Sequence, residues 1–545
     1  MPRVPGYRLL IESLQRCGAD TLFFLEGGPL LEAAAAAGEL GLRCIDMRHE
    51  QAAAMAVQAW SRLTRRAGVC MAASGPGTCN LVTGVANAFI DGVPLVVIGG
   101  AVSTATYGRG EFQDIDQVAM MAPITKQATR IYATERIPEQ VQNAFLVALS
   151  GQPGPVYLDL PADVLFREVE AEKLTWPNFD LAISRNPPDP ARLAAAVTLL
   201  HGARRPIVLS GTGALFADAG DALAKFLDAT GLPLFTTPQG RGIVSEAEGH
   251  TPVTARSKAF READLILAVG TRLNFIFGFA QPPRFAPDAR IIHIDIDPIE
   301  IARHPNVAVR LQGDAAAVLN ALLPEIEGGL RRADQAWLAA LAADDKRKQA
   351  DARRQQLALE QTPIHPLRLC AELAEILPES AVLAVDGHVI LNFARQSIPT
   401  FRAGHRLNSG PFGCLGVGVP FGIGAKVACP DDPVVVLTGD GSFGLNAMEL
   451  DTALRHRLPI VVVISNNGGW AAQTNAPQVG RDLGFTRYDQ MFAAIGAHAE
   501  HVTAPADIRP ALQRALAAGR PAIVNVVTDP RVDAHTVAFA NYSAI

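Results

Sequence analysis

A chain of 545 residues is too long for one hydrophobic core, so about two to four domains are expected, and 49% hydrophobic against 19% charged residues suits large α/β cores. A formal net charge of -6 argues against nucleic acid as the main partner, though a phosphate-bearing small molecule needs only a local basic cluster. Seven scattered cysteines without a C-x-x-C pair, no apolar run of membrane-spanning length and a charged, helix-patterned N-terminus predict a reduced, soluble, cytoplasmic protein that does not enter membranes.

Residues 1–175 alternate helix and strand patterns. A helix over 7–17 leads to a strand over 21–25 and the turn Glu26-Gly27-Gly28-Pro29. A strand over 44–46 leads to a helix opening at Arg48-His49-Glu50. A strand over 69–73 ends in Ser74-Gly75-Pro76-Gly77-Thr78-Cys79-Asn80, and one over 95–98 ends in Gly99-Gly100. Short apolar strands followed by glycines predict a buried parallel sheet with working loops at one edge. Proline-rich residues 176–189 read as a linker. A second α/β domain over 190–325 has predicted strands at 206–210, 234–236, 265–269 and 291–296. Charge-rich residues 331–361 read as a solvated connecting helix. A third domain spans 365–530, and a tail over 531–545 would close as a lid. The first and third domains share a layout, with no repeat at fixed spacing.

In the third domain an apolar run ends in Gly439-Asp440-Gly441, and a second closes on Asn466-Asn467. The twenty-four residues between Gly441 and Asn466 suit one strand-helix-strand unit of a parallel sheet. Both turns then fall at the carboxyl edge of the strands, where open α/β sheets bind ligands. Asp and Asn supply hard oxygen ligands for Mg2+, and Gly441 lets backbone approach an anion closely. The stretch reads as a Mg2+-diphosphate clamp.

Elsewhere the residues leave alternatives open. Glu50 is either a first-turn glutamate favouring the helix dipole or a working carboxylate. Ser74 to Gly77 is a tight turn or the lining of a polar site. Cys79 and Cys414 have no partner suggesting a lowered pKa, and His49, His388 and His405 form no metal-spaced pair. Arg395, Arg402 and Arg406, with Arg272 and Arg284, are either scattered surface charges or a basic mouth for a nucleotide or phosphate tail.

The combination of G-D-G-S-F, twenty-four residues and N-N with R-H-E-Q-A-A, A-S-G-P-G-T-C-N, A-F-I-D-G-V-P and E-F-Q-D-I-D is more specific. With it the chain resembles the acetolactate synthase-like superfamily of thiamine-diphosphate enzymes along essentially its whole length. The resemblance implies three doubly wound α/β domains with parallel sheets: pyrimidine-binding, central and diphosphate-binding. It implies a dimer or tetramer with each cofactor shared between subunits. By motif, Asp440, Asn467 and the Gly469 carbonyl would bind Mg2+. Gly387, His388, Gly441 and Ser442 would hold the diphosphate, Gly413 would bond the cofactor's amino group, and Leu415 would bend the cofactor. Glu50 of the opposing subunit would protonate the aminopyrimidine. Arg272-Leu273-Asn274, with Phe279 to Phe285, looks like the 2-hydroxyacyl-CoA lyases and, at its first three residues, the oxalyl-CoA decarboxylases. A coenzyme A nucleotide would then meet Arg272, Asn274, Arg284, Arg395, Arg402 and Arg406. Asp386-Gly387-His388 and Ala493 depart from the patterns of relatives. The expected activity is cleavage of a 2-hydroxyacyl-CoA to formyl-CoA and an aldehyde or ketone, with His405, Gln113 and the cofactor's own imine as candidate bases. The alternatives are an acetolactate synthase-like decarboxylase or carboligase, an oxalyl-CoA decarboxylase, and a silent cofactor-binding paralogue.

Overall fold

The computed structural model describes residues 3–330, 332–476 and 478–534, so most of the expected lid lies outside the described residues. In the first unit the strands are β1 (Arg3–Pro5), β2 (Thr21–Phe24), β3 (Arg43–Asp46), β4 (Gly68–Ala72), β5 (Leu95–Ala101), β6 (Gln127–Arg130), β7 (Pro155–Pro161) and β8 (Glu168–Glu170). β2 to β7 form a six-stranded parallel sheet in the order β3-β2-β4-β5-β7-β6, and β1 pairs antiparallel with β8. The second unit holds β9 (Pro206–Ser210), β10 (Leu234–Thr236), β11 (Leu265–Val269), β12 (Arg290–Asp295) and β13 (Val307–Gln312), in the parallel order β10-β9-β11-β12-β13. The third holds β14 (Val382–Val385), β15 (Arg406–Leu407), β16 (Val434–Gly439), β17 (Ile460–Asn466), β18 (His498–Val502) and β19 (Ala522–Val527), in the order β15-β14-β16-β17-β19-β18.

Numbered within their own sheets, the first and third follow one strand order, 2-1-3-4-6-5. The shared layout expected from sequence is therefore a shared topology. Helices cover the sheets, and the apolar strand residues are buried because parallel strands have both faces covered. The helix Gln335–Leu357 follows the second unit, but it is not wholly solvated. Asp345 is buried and accepts hydrogen bonds from Thr254 N at 2.7 Å and Thr254 Oγ1 at 2.8 Å.

The first and third units meet through the helices Glu50–Thr64 and Gly418–Ala428, rich in alanine and glycine respectively. Small side chains let these backbones approach closely, and a methyl group on Gly424 would overlap the Ala56 carbonyl. Overpacking such a contact costs about 1–3 kcal/mol. Gly424→Ala should therefore lower the thermal unfolding midpoint, read by circular dichroism. An unchanged midpoint would show that the helices tolerate a wider separation.

Candidate active site

β16 and β17 are adjacent and parallel, with Gly439 opposite Ser465, so Asp440 emerges beside Asn466-Asn467 at the carboxyl edge. One heteroatom of the Asn467 carboxamide stands 2.9 Å from Asp440 Oδ1 and 2.7 Å from the Gly469 carbonyl oxygen. As a nitrogen that atom donates to both oxygens; as an oxygen, with the nitrogen donating to the Ala471 carbonyl at 3.3 Å, it would complete three oxygen ligands that could hold a cation. Cis ligands of an octahedral Mg2+ bound at about 2.0–2.1 Å stand roughly 2.9 Å apart, which matches. Asp440 Oδ2 is buried without a partner, and burial pushes the Asp440 carboxyl up to about 6. Both facts describe a carboxylate built to meet positive charge.

Arg481, which the sequence motifs do not reveal, holds the backbone of this turn. Its guanidinium donates to the carbonyls of Asn467 at 3.2 Å, Gly468 at 3.3 Å and Ala471 at 2.9 Å. Asp386, noted from sequence only as a departure, accepts from Gly387 N at 2.7 Å and Gly418 N at 2.9 Å, and burial raises its carboxyl to about 6. Gly387 has φ 96, a left-handed conformation that glycine adopts without strain. Gly387, His388, Leu415, Gly441, Ser442 and Gly469 join Asp440 and Asn467 around one cavity of about 50 Å³, with Trp470 beside Gly441. Gly413 (φ 70) ends the turn leading to Leu415.

Glu50 begins its helix after β3 and is buried, with Asn80 Nδ2 donating to Glu50 Oε2 at 2.9 Å. Ser74 Oγ donates to Gln113 Oε1 at 2.7 Å, and the Gln113 backbone packs where a side chain on Gly75 would lie. Glu50 and Gln113 thus share the loop cluster at the carboxyl edge of the first sheet. Neither lines the clamp cavity, whose walls come only from residues 366–529. The single chain therefore presents the two halves of the expected site apart.

His405 does not join either half. It precedes β15, its carbonyl accepts from Leu383 N at 2.9 Å, and its Nδ1 lies 3.1 Å from the Ser380 carbonyl. It therefore sits at the amino edge of the sheet, opposite the clamp, and is withdrawn as a candidate base for the clamp of its own chain.

A larger cavity, about 160 Å³, lies where the three units meet. Arg272 and Asn274 line it with Asp91, Gln239, Asp295 and Gly410. Asp91 Oδ2 accepts from Gln58 Nε2 and Gln239 Nε2, both at 2.9 Å, and burial pushes its carboxyl up to about 7. The other arginines of the expected basic mouth gather only in part, and away from this cavity. Burial, and then the charges of Arg284 and Arg395, lower the guanidinium pKa of Arg256, and Arg395 acts in the same direction on Arg406 alongside burial, while Arg402 lies 3.7 Å from Asp432. Arg406 is buried in β15, where burial lowers its guanidinium pKa to about 9, and it reaches no cavity wall described here.

Three family models match: the thiamine pyrophosphate enzyme N-terminal TPP binding domain over residues 5–120, central domain over 193–322, and C-terminal TPP binding domain over 389–526. The chain belongs to the thiamine pyrophosphate enzyme family. Among its relatives, this thiamine pyrophosphate enzyme is 37% identical to a probable acetolactate synthase of Mycobacterium bovis over 96% of both chains. It is 31% identical to the oxalyl-CoA decarboxylase of Escherichia coli over 96% of this chain and 95% of that one. It is 30% identical to human 2-hydroxyacyl-CoA lyase 1 over 97% of this chain and 95% of that one. No helix among the described residues is long and apolar enough to cross a membrane.

A cation and a proton compete for the Asp440 carboxylate, so Mg2+ affinity should be full above about pH 7 and fall as pH drops through about 6. In the cation-free protein the sign reverses. A raised carboxyl favours the fold below its ordinary 3.8, and that contribution fades as pH rises through about 6. Titration calorimetry with Mg2+ and thiamine diphosphate from pH 5 to 8 checks this, and a flat affinity would contradict it. Asp440→Ala should weaken Mg2+ binding at least about tenfold.

Proposed function

We propose that this enzyme cleaves the C1–C2 bond of a 2-hydroxyacyl-CoA, giving formyl-CoA and an aldehyde or ketone, with Mg2+ and thiamine diphosphate as cofactors. The observation that carries the cofactor half is the convergence of the Asp440 carboxylate, the Asn467 carboxamide and the Gly469 carbonyl beside an unpartnered Asp440 Oδ2. Those three would hold Mg2+, and Gly387, His388, Gly441 and Ser442 the diphosphate. Bound thiamine diphosphate supplies a nucleophilic carbon and an electron sink. Leu415 would shape the cofactor from below, and Gly413 would offer its carbonyl.

Glu50 would come from a second copy of the chain, as its exclusion from its own clamp cavity favours. It would exchange a proton with the cofactor's aminopyrimidine nitrogen, with Asn80 Nδ2 orienting the carboxylate. In the reaction the substrate's hydroxyl proton is lost as the carbonyl product forms, and a proton is delivered to the formyl carbon, so the atoms balance. Gln113, beside Ser74, would sit near that exchange. The coenzyme A reading rests on Arg272 and Asn274 at the junction cavity. Asp295, at the end of β12, stands where doubly wound folds place an acid for ribose hydroxyls.

A second reading, decarboxylation and ligation of 2-oxoacids as in an acetolactate synthase, is favoured by the 37% identity to the Mycobacterium bovis relative. Incubation with thiamine diphosphate, Mg2+ and a 2-hydroxyacyl-CoA should yield formyl-CoA and a carbonyl product. Acetolactate or CO2 from pyruvate would establish the second reading instead. Glu50→Gln should lower turnover by about 10²-fold or more while changing cofactor affinity little. Arg272→Ala should raise KM for the thioester about tenfold with kcat nearly unchanged, since it removes binding rather than chemistry.

A further inference from the structure

The amino edge of the third sheet carries another set of ligating side chains, on the far side from the clamp. His405 precedes β15, Cys429 follows the helix Gly418–Ala428, and Asp432 precedes β16. Parallel pairing of β14 with both β15 and β16 brings the His405 loop beside the one loop that carries Cys429 and Asp432. One imidazole nitrogen, the thiol sulfur and one carboxylate oxygen all lie within 4.8 Å of one another. A tetrahedral ion with Zn–S about 2.3 Å and Zn–N about 2.0 Å holds its donors roughly 3.3–3.6 Å apart, so the side chains need close by only about 1 Å.

The surroundings favour a cation. His405 Nδ1 lies 3.1 Å from the Ser380 carbonyl, and a backbone partner of this kind commonly orients a metal-bound histidine. Four charged groups stand close. Asp431 and Asp432 attract a cation. Lys426 Nζ donates at 2.8 Å to the backbone carbonyl of Asp432, leaving the carboxylate open. Arg402 lies 3.7 Å from Asp432 Oδ1, but its side chain is 54% exposed and can turn into water.

We propose that His405, Cys429 and Asp432 bind a borderline-soft divalent cation, zinc(II) being the best match, with water as the fourth ligand. Binding takes the Cys429 sulfur as thiolate and releases its proton, with no change of oxidation state. Mixed nitrogen, sulfur and oxygen donors separate this site from the all-oxygen clamp, which suits Mg2+. The ion would fasten the two-residue edge strand β15 to the helix end and to the start of β16.

Co2+ titration of the full chain, saturated with Mg2+ and thiamine diphosphate, tests the proposal. One Co2+ per chain should appear with near-ultraviolet thiolate-to-cobalt absorption and be displaced by Zn2+. Cys429→Ser should abolish that absorption, and Asp432→Asn should weaken binding at least tenfold. In the unsubstituted protein, Zn2+ should slow alkylation of Cys429 at least tenfold, read by peptide mass, and leave Cys44 and Cys79 unaffected. Absence of the absorption, its survival in Cys429→Ser, or unprotected Cys429 would each overturn the proposal.

Discussion

The third unit is organised to hold the Asn467 carboxamide 2.9 Å from Asp440 Oδ1 and 2.7 Å from the Gly469 carbonyl, polar groups gathered where a cation could be held. The β16–β17 register sets Asp440 beside Asn467. Arg481 fixes the turn by taking up the carbonyls of Asn467, Gly468 and Ala471. A cation entering the site meets ligands that need little reorganisation, so less of its binding free energy goes into ordering the protein.

The carboxylates around the site are buried for the same reason. Asp440 and Asp386 both sit away from water, which lifts both carboxyls to about 6. Asp386 spends its acceptors on Gly387 N and Gly418 N, joining the left-handed turn to the helix that packs against the first unit. Asp440 leaves one oxygen free. Similar burial thus comes with a satisfied carboxylate in one case and an unpartnered oxygen in the other, and the difference is hydrogen-bond satisfaction.

Much of this was legible in the chain. Buried strands such as 206–210 and 265–269 lie where the sequence predicts them, because apolar runs ending in glycine mark interior parallel strands. The sequence does not mark the edge strands β6, β13, β15 and β18, since polar sequences such as Gln127–Arg130 and His498–Val502 carry no apolar run, whereas the edge strands β3 and β10 are apolar enough to be predicted. The clamp was legible because its residues flank two strong strands at a spacing that one crossover sets. Arg481 was not, because it acts through backbone carbonyls that sequence does not mark. Proximity in sequence within 395–406 spans a helix end, a loop and a strand, so Arg395 stays near buried Arg406 while Arg402 turns out towards Asp432.

The junction cavity has walls from all three units: Asp91 from the first, Arg272 from the second and Gly410 from the third. Whatever molecule fills it touches each unit and recognises only their assembled arrangement. Its free energy of binding therefore adds to the cohesion of the whole chain, by an amount that rises with the logarithm of its concentration. A ligand of this kind acts as mortar. The lifetime of the folded protein, and its resistance to proteases that cut opened chains, would then follow the supply of that ligand.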